Sequence, residues 1–157
     1  MALARNLDRP DRDTKRRLRL WLRLYASTSL IEREMRRFLR TRFATTLPRF
    51  DLMAALERAP EGLSMGDLSR RLMVTGGNVT AVVDSLERDG LVVRRQPASD
   101  RRTSYVALTG RGRAAFAAMA REHEQWIDRL LADMPDDAVD RLADLLADLK
   151  HGAERAR

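Results

Sequence analysis

The residues of this chain best placed to do chemistry are arginines, and what they offer is a grip on oxyanions rather than bond cleavage. Asp100-Arg101-Arg102 follows Pro97 and Ser99 in a stretch of turn formers, with Arg94-Arg95 just upstream. Two arginines on such a turn can reach phosphates or a minor groove, and Asp100 can position a neighbouring guanidinium. The same residues would also suit a solvated hairpin tip. Earlier, Thr75 can cap a helix N-terminus, and Gly76-Gly77 let a backbone or a phosphate approach its first turn. Other chemistries find little support. With no cysteine, disulfides and thiolate metal sites are excluded. His123 has Glu122, Glu124 and Asp128 nearby but no second histidine on its face, so no metal site is expected. His151 stands alone in the tail. No phosphate-binding loop, dinucleotide glycine fingerprint or Ser-His-Asp setting occurs, so neither an enzyme nor a cofactor is expected.

The elements that must hold these groups are readable from periodicity. Val79, Val82, Val83 and Leu86 recur at helical spacing, and Gly90 stands where a left-handed C-cap belongs. Two β-branched runs follow, Leu91-Val92-Val93 and Tyr105-Val106-Ala107-Leu108, joined by the basic turn. A short polar helix joined to a basic hairpin is what a winged-helix reader of DNA needs, the helix entering the major groove. Before it, a pattern free of Pro and Gly from Asp11 to Thr45 predicts one long helix. Thr46 and Pro48 restart a second, ended by Pro60-Glu61-Gly62, and Ser64 with Asp67 opens a third. Thr109 begins a long helix to about Asp133, and Pro135 with Asp136 and Asp137 begins the last. The expected class is mainly α with a small β-hairpin wing, in the order α-α-α-α-β-β-α-α.

Charge is unevenly placed on this +7 chain. Residues 1–49 carry +9, residues 61–113 carry +3 and residues 114–157 carry −4. Such asymmetry suits a protein that lays one face on a polyanion, although arginines on a helix also serve as a solvated face. No apolar run of about 18 residues predicts a membrane span, and no signal-peptide hydrophobic region is seen, so a soluble cytoplasmic protein without membrane contact is expected. Three segments are expected: a tail and long helix over 1–46, a winged helix-turn-helix lobe over 47–108, and C-terminal helices over 109–157. Leu18, Trp21, Leu22 and Tyr25 in the first helix, and Val139, Leu142, Leu145, Leu146 and Leu149 in the last, form stripes that so small a lobe cannot cover. A second copy of the chain would cover them, as would an intrachain bundle.

Val79-Thr80 through Leu86-Glu87-Arg88-Asp89-Gly90-Leu91-Val92-Val93-Arg94-Arg95, the Asp100-Arg101-Arg102 wing, and Leu108-Thr109-Gly110-Arg111-Gly112 together resemble the multiple-antibiotic-resistance regulator (MarR) family of bacterial transcription factors. The resemblance covers essentially the whole chain. It implies a homodimer that binds pseudo-palindromic double-stranded DNA, often as a repressor released by a small molecule, and hence nucleoid association. Carried onto this chain, it starts the recognition helix at Thr75 and turns Gly77, Asn78, Thr80 and Ala81 toward the major groove. Asn78 could read adenine or contact phosphate, or with Thr75 chiefly cap the helix. Asp84, Glu87 and Asp89 would point away from DNA. Arg101 or Arg102 would enter the minor groove or grip its phosphates, positioned by Asp100, with Arg94 and Arg95 supporting backbone contacts. An effector crevice between the dimer helices and the lobe is implied, to which Trp21, Tyr25, Phe50, Met53 and His123 would contribute. Ordinary core or dimer packing would equally account for those side chains. The basic run including Arg16 and Arg17 beside the first-helix aromatics points to an aromatic acid or its coenzyme A thioester, unless those arginines flank DNA or solvent. The alternatives are an architectural DNA-binding protein without an effector, or a degenerate winged helix that binds protein.

Overall fold

A computed structural model describes residues 12–72, 76–96 and 104–156. Its elements run α1 (Arg12–Phe43), α2 (Leu47–Glu57), β1 (Leu63–Ser64), α3 (Met65–Leu72), α4 (Gly76–Arg88), β2 (Val92–Arg95), β3 (Tyr105–Leu108), α5 (Gly110–Leu131) and α6 (Asp136–Arg155). The mainly helical architecture with a small sheet agrees with the sequence reading, with one addition. The sheet has three antiparallel strands in the order β1-β3-β2, because Leu63 pairs with Val106 and Ser64 with Tyr105 on the free edge of β3. Two residues are too few to show alternation, so β1 has no periodic signature. Ser64 does double duty, since its hydroxyl also accepts from the Asp67 amide at 3.1 Å and caps α3.

The core lies where α2, α3, α4 and the sheet meet. Leu39 of α1, Leu52, Met53 and Leu56 of α2, Leu68 of α3, Val79, Val83 and Leu86 of α4 and Val106 of β3 are all essentially inaccessible. α5 closes one side through Ala115, Phe116 and Met119. α1 joins this core only through its C-terminal part, where Met35 and Leu39 are buried. Its N-terminal half and all of α6 contribute no buried side chain. Thus Leu20 and Leu145 remain about two-thirds exposed, at 66% and 65%.

Three backbone devices fix how α4, β2 and α5 join. Gly90 takes φ +68° and its amide donates to the Glu87 carbonyl, while the Leu91 amide donates to the Leu86 carbonyl at 2.9 Å. This is the helix-ending motif for which glycine is suited. Thr109 then turns the chain. Its hydroxyl donates to the Gly90 carbonyl at 2.8 Å and accepts from the Gly112 amide at 2.9 Å, and its own amide donates to the Leu91 carbonyl at 3.0 Å. Gly112 lies flat on that carbonyl, and a Cβ there would sit 1.9 Å from the Leu91 oxygen.

Gly112→Ala is therefore expected to cost about 3 kcal/mol in urea unfolding, because backbone on both sides must move. Thr109→Ala, which removes only the cap, is expected to cost about 1 kcal/mol. Equal effects of the two substitutions would contradict the close-approach account.

Candidate nucleic-acid interface

α4 presents its polar residues outward because its apolar ones are consumed by the core. Val79, Val83 and Leu86 are buried, whereas Asn78, Thr80 and Ala81 are exposed. Gly77 lies in the first turn of the helix. Thr75, Asp100, Arg101 and Arg102 fall outside the described residues. Asn78 and Ala81, three apart, lie over one another, and Thr80 stands on the other flank of the exposed arc. By that spacing Asp84 lies beside Thr80 and Ala81. It is not turned away from them, as the sequence reading had expected.

The charge of Asp84 is answered locally. Arg94, at the start of the wing, pairs with both Asp84 and Glu87, and its amide also donates to Glu87 Oε1 at 3.2 Å. Bonding to Asp84 leads the causes that raise the Arg94 pKa, against an opposing effect of burial. Arg94 thus clamps β2 to α4 and neutralises carboxylates that would repel phosphate. Of the two wing-base arginines, the exposed Arg95 is the one left to face outward. Asp89, beyond the end of α4, is tied to Arg49 of α2 at 2.5 Å, and the same guanidinium donates to Ser85. That bond, then the Arg49 charge, holds the Asp89 carboxyl below its usual range. Arg70, near the end of α3, pairs with Asp67 at 2.5 Å.

The proposed effector residues fall into two groups. Phe50, Met53 and His123 lie together: the Phe50 and His123 rings are 5.2 Å apart, and His123 stacks on Trp126 at 6.1 Å. Phe50 and Met53 are buried core. Trp21 and Tyr25 stack on one another at 5.6 Å, on the exposed half of α1 with Arg16 and Arg17. Trp21 stands about 21 Å along the helix from the buried Met35, from the rise of ~1.5 Å per residue. Within one copy the two groups therefore share no crevice. Neither Arg49 nor Trp126 figured among the sequence candidates, and no local pattern marks them.

Burial sets the properties of His123. It lowers the imidazole pKa below the ordinary 6.5, with a smaller opposing effect from Glu124. The unfolded chain thus takes up this proton more readily than the folded one, and stability falls as pH drops below 6.5. His123→Phe should flatten the dependence of thermal stability on pH in that range. Separately, Arg94→Met should lower stability by about 1 kcal/mol, a value kept small because all three partners are partly solvated. A change within error in denaturant titrations would mean that the clamp contributes little.

Comparison with known proteins agrees with this architecture. The MarR family model matches residues 45–103, which hold α2 through β2. The chain is 34% identical over 104 residues to the transcriptional activatory protein BadR of Rhodopseudomonas palustris, covering 65% of this chain and 59% of that one. It is 31% identical over 98 residues to the transcriptional repressor YetL of Bacillus subtilis, covering 62% and 59%. The matched region thus spans less than two thirds of these curated relatives. A solved structure of a MarR family transcriptional regulator from Silicibacter pomeroyi superposes with a TM-score of 0.73 at 33% identity, over 95% of this chain and 100% of the other. The protein belongs to the MarR family. That family consists of transcriptional regulators, not enzymes.

Proposed function

We propose that the protein is a homodimeric DNA-binding transcriptional repressor that leaves a pseudo-palindromic operator when a small molecule binds. The observation that carries the DNA-binding reading is the exposure of Asn78, Thr80 and Ala81 on a helix whose apolar face, Val79, Val83 and Leu86, is locked into the core. Arg94 supports it by cancelling Asp84, which lies beside Thr80 and Ala81. Thr75, Gly77, Arg95, Arg101 and Arg102 complete the proposed contact set, with Asp100 positioning the wing. Exposed apolar side chains support the dimer. Leu18, Trp21, Leu22 and Tyr25 on α1 and Leu142, Leu145, Leu146 and Leu149 on α6 are 42–65% exposed, too many on one pair of helices for a lone chain in water. In this reading residues 1–46 and 109–157 serve dimerisation, and 47–108 serve DNA.

A symmetric dimer sets two recognition helices on successive major grooves about 34–36 Å apart. The related BadR and YetL carry opposite signs of regulation in their names, so repression is a point for experiment. An aromatic acid or its coenzyme A thioester suits the Trp21–Tyr25 pair and Arg16 and Arg17. On that open helix face, a second copy would have to supply the other wall.

Selection from random duplexes followed by binding titration tests the proposal. Asn78→Ala or Thr80→Ala should reduce preference for the selected site, at about 1–3 kcal/mol per lost base contact. Arg95→Ala should weaken all duplexes alike and lower the slope of log K against log salt by about 1. Equal affinity for selected and random DNA would overturn the regulator in favour of an architectural protein. A monomer by light scattering at the concentrations that bind DNA would overturn the dimer. A promoter fusion silenced by the protein, rather than activated, decides the sign.

A further inference from the structure

Ala44, in the link between α1 and α2, takes φ +49°, and it is the one non-glycine residue with a positive φ among those described. The other described positive φ angles belong to Gly62 and Gly90. Glycine is the usual residue just past a helix end, because a Cβ crowds the backbone in the left-handed region. The Ala44 side chain is exposed, so burial of its methyl does not account for the conformation. Its neighbours do. Leu39 is fully buried before the link and Phe50 is buried after it, with α2 restarting at Leu47. The Ala44 amide donates to the Arg40 carbonyl at 3.2 Å, and the Thr45 amide to the Leu39 carbonyl at 3.3 Å. Phe43 packs edge-on against Phe38, and Arg42 pairs with Glu122 of α5 at 2.8 Å. On the far side, Thr46 is extended and Pro48 has a fixed φ. Strained backbone persists where its surroundings over-determine it, and such sites gather where position matters to function.

We infer that Ala44 is a positioning residue for DNA recognition: its narrow left-handed well fixes the direction of the winged-helix lobe on α1, and through it the spacing of half-sites that a dimer accepts. The inference rests on the dimeric regulator reading. In that reading the exposed half of α1 lies in the dimer contact and α4 lies on DNA, and the Ala44 link is the turn by which α1 enters the lobe. The left-handed well of an L-residue is small, with φ about +50 to +70°, whereas glycine ranges over far more of the positive-φ region. A swing of about 10° carries a group ~20 Å away through about 3.5 Å, close to the ~3.4 Å rise of one base pair. A little freedom at one φ is therefore enough to let a half-site slip by a step. Glycine would suit the turn better than alanine does; what alanine adds is stiffness.

The test substitutes Ala44 in the full chain. Ala44→Gly should raise the folding equilibrium constant in urea titrations at least about twofold, because alanine at positive φ is strained. Ala117→Gly, at an exposed position inside α5, should instead lower it by about the same factor. Binding is then measured to the selected duplex and to versions with one base pair inserted or removed at its centre. Ala44→Gly should shrink the preference for the selected spacing at least about threefold relative to the unsubstituted protein. Ala44→Asn tolerates the left-handed region but keeps a Cβ, so it should hold the original spacing preference. A more stable Ala44→Gly with an unchanged spacing preference would leave only a structural role and overturn the inference. Loss of the preference in Ala44→Asn to the same degree as in Ala44→Gly would also overturn it, and so would a less stable Ala44→Gly. Absence of any DNA sequence preference in the unsubstituted protein would overturn the regulator reading, and the positioning role with it.

Discussion

Among the described glycines, the tightest constraint is the contact of Gly112 with the Leu91 carbonyl. No side chain fits between them, because even a Cβ would lie 1.9 Å from the oxygen. That contact brings the start of α5 against the end of α4, and Thr109 closes it by bonding to Gly90, Leu91 and Gly112 at once. The orientation of α4, the start of β2 and the direction of α5 therefore follow from one small knot of backbone. The Leu-Thr-x-x-Gly run is explained by it: threonine supplies the cap, and glycine supplies the space.

Around that knot, electrostatics finishes what packing begins. α4 has one face in the core, and its position is then secured at both flanks by arginines from other elements. Arg94 reaches from β2 to Asp84 and Glu87, and Arg49 reaches from α2 to Ser85 and Asp89. Neither pairing is strong by itself, since most of these groups are partly solvated. Their value lies in direction. The carboxylates of Asp84, Glu87 and Asp89 are each answered by an arginine from another element.

The two ends of the chain follow a different logic. The buried core stops near Met35 on α1 and near Met119 on α5. Beyond Met35, α1 carries apolar side chains that stay exposed among the described residues, as does α6. A chain of this size could have folded α6 and the first half of α1 onto its own lobe. Instead α1 runs for 32 residues, about 48 Å at ~1.5 Å per residue, far past the lobe it touches.

The sequence by itself determined what depends on neighbours in the chain. The helix periods, the Gly90 stop, the Thr109 cap and the wing strands are all local, and each is visible as a spacing of residue types. The uneven placement of charge, basic toward the N-terminus and acidic toward the C-terminus, was equally legible from the sequence. Only the tertiary structure decided matters that depend on residues far apart in sequence. β1 joined the sheet because Leu63 met Val106, a pairing that two residues cannot announce. Arg94 became a clamp because two carboxylates lay opposite it, and Arg49 became a tie because Asp89 came within 2.5 Å. The expected effector residues separated because position along a helix is also distance: Trp21 and Tyr25 share a helix with the core but lie turns away from it. Spacing specifies which face a side chain takes, whereas its partner is chosen only when another element arrives.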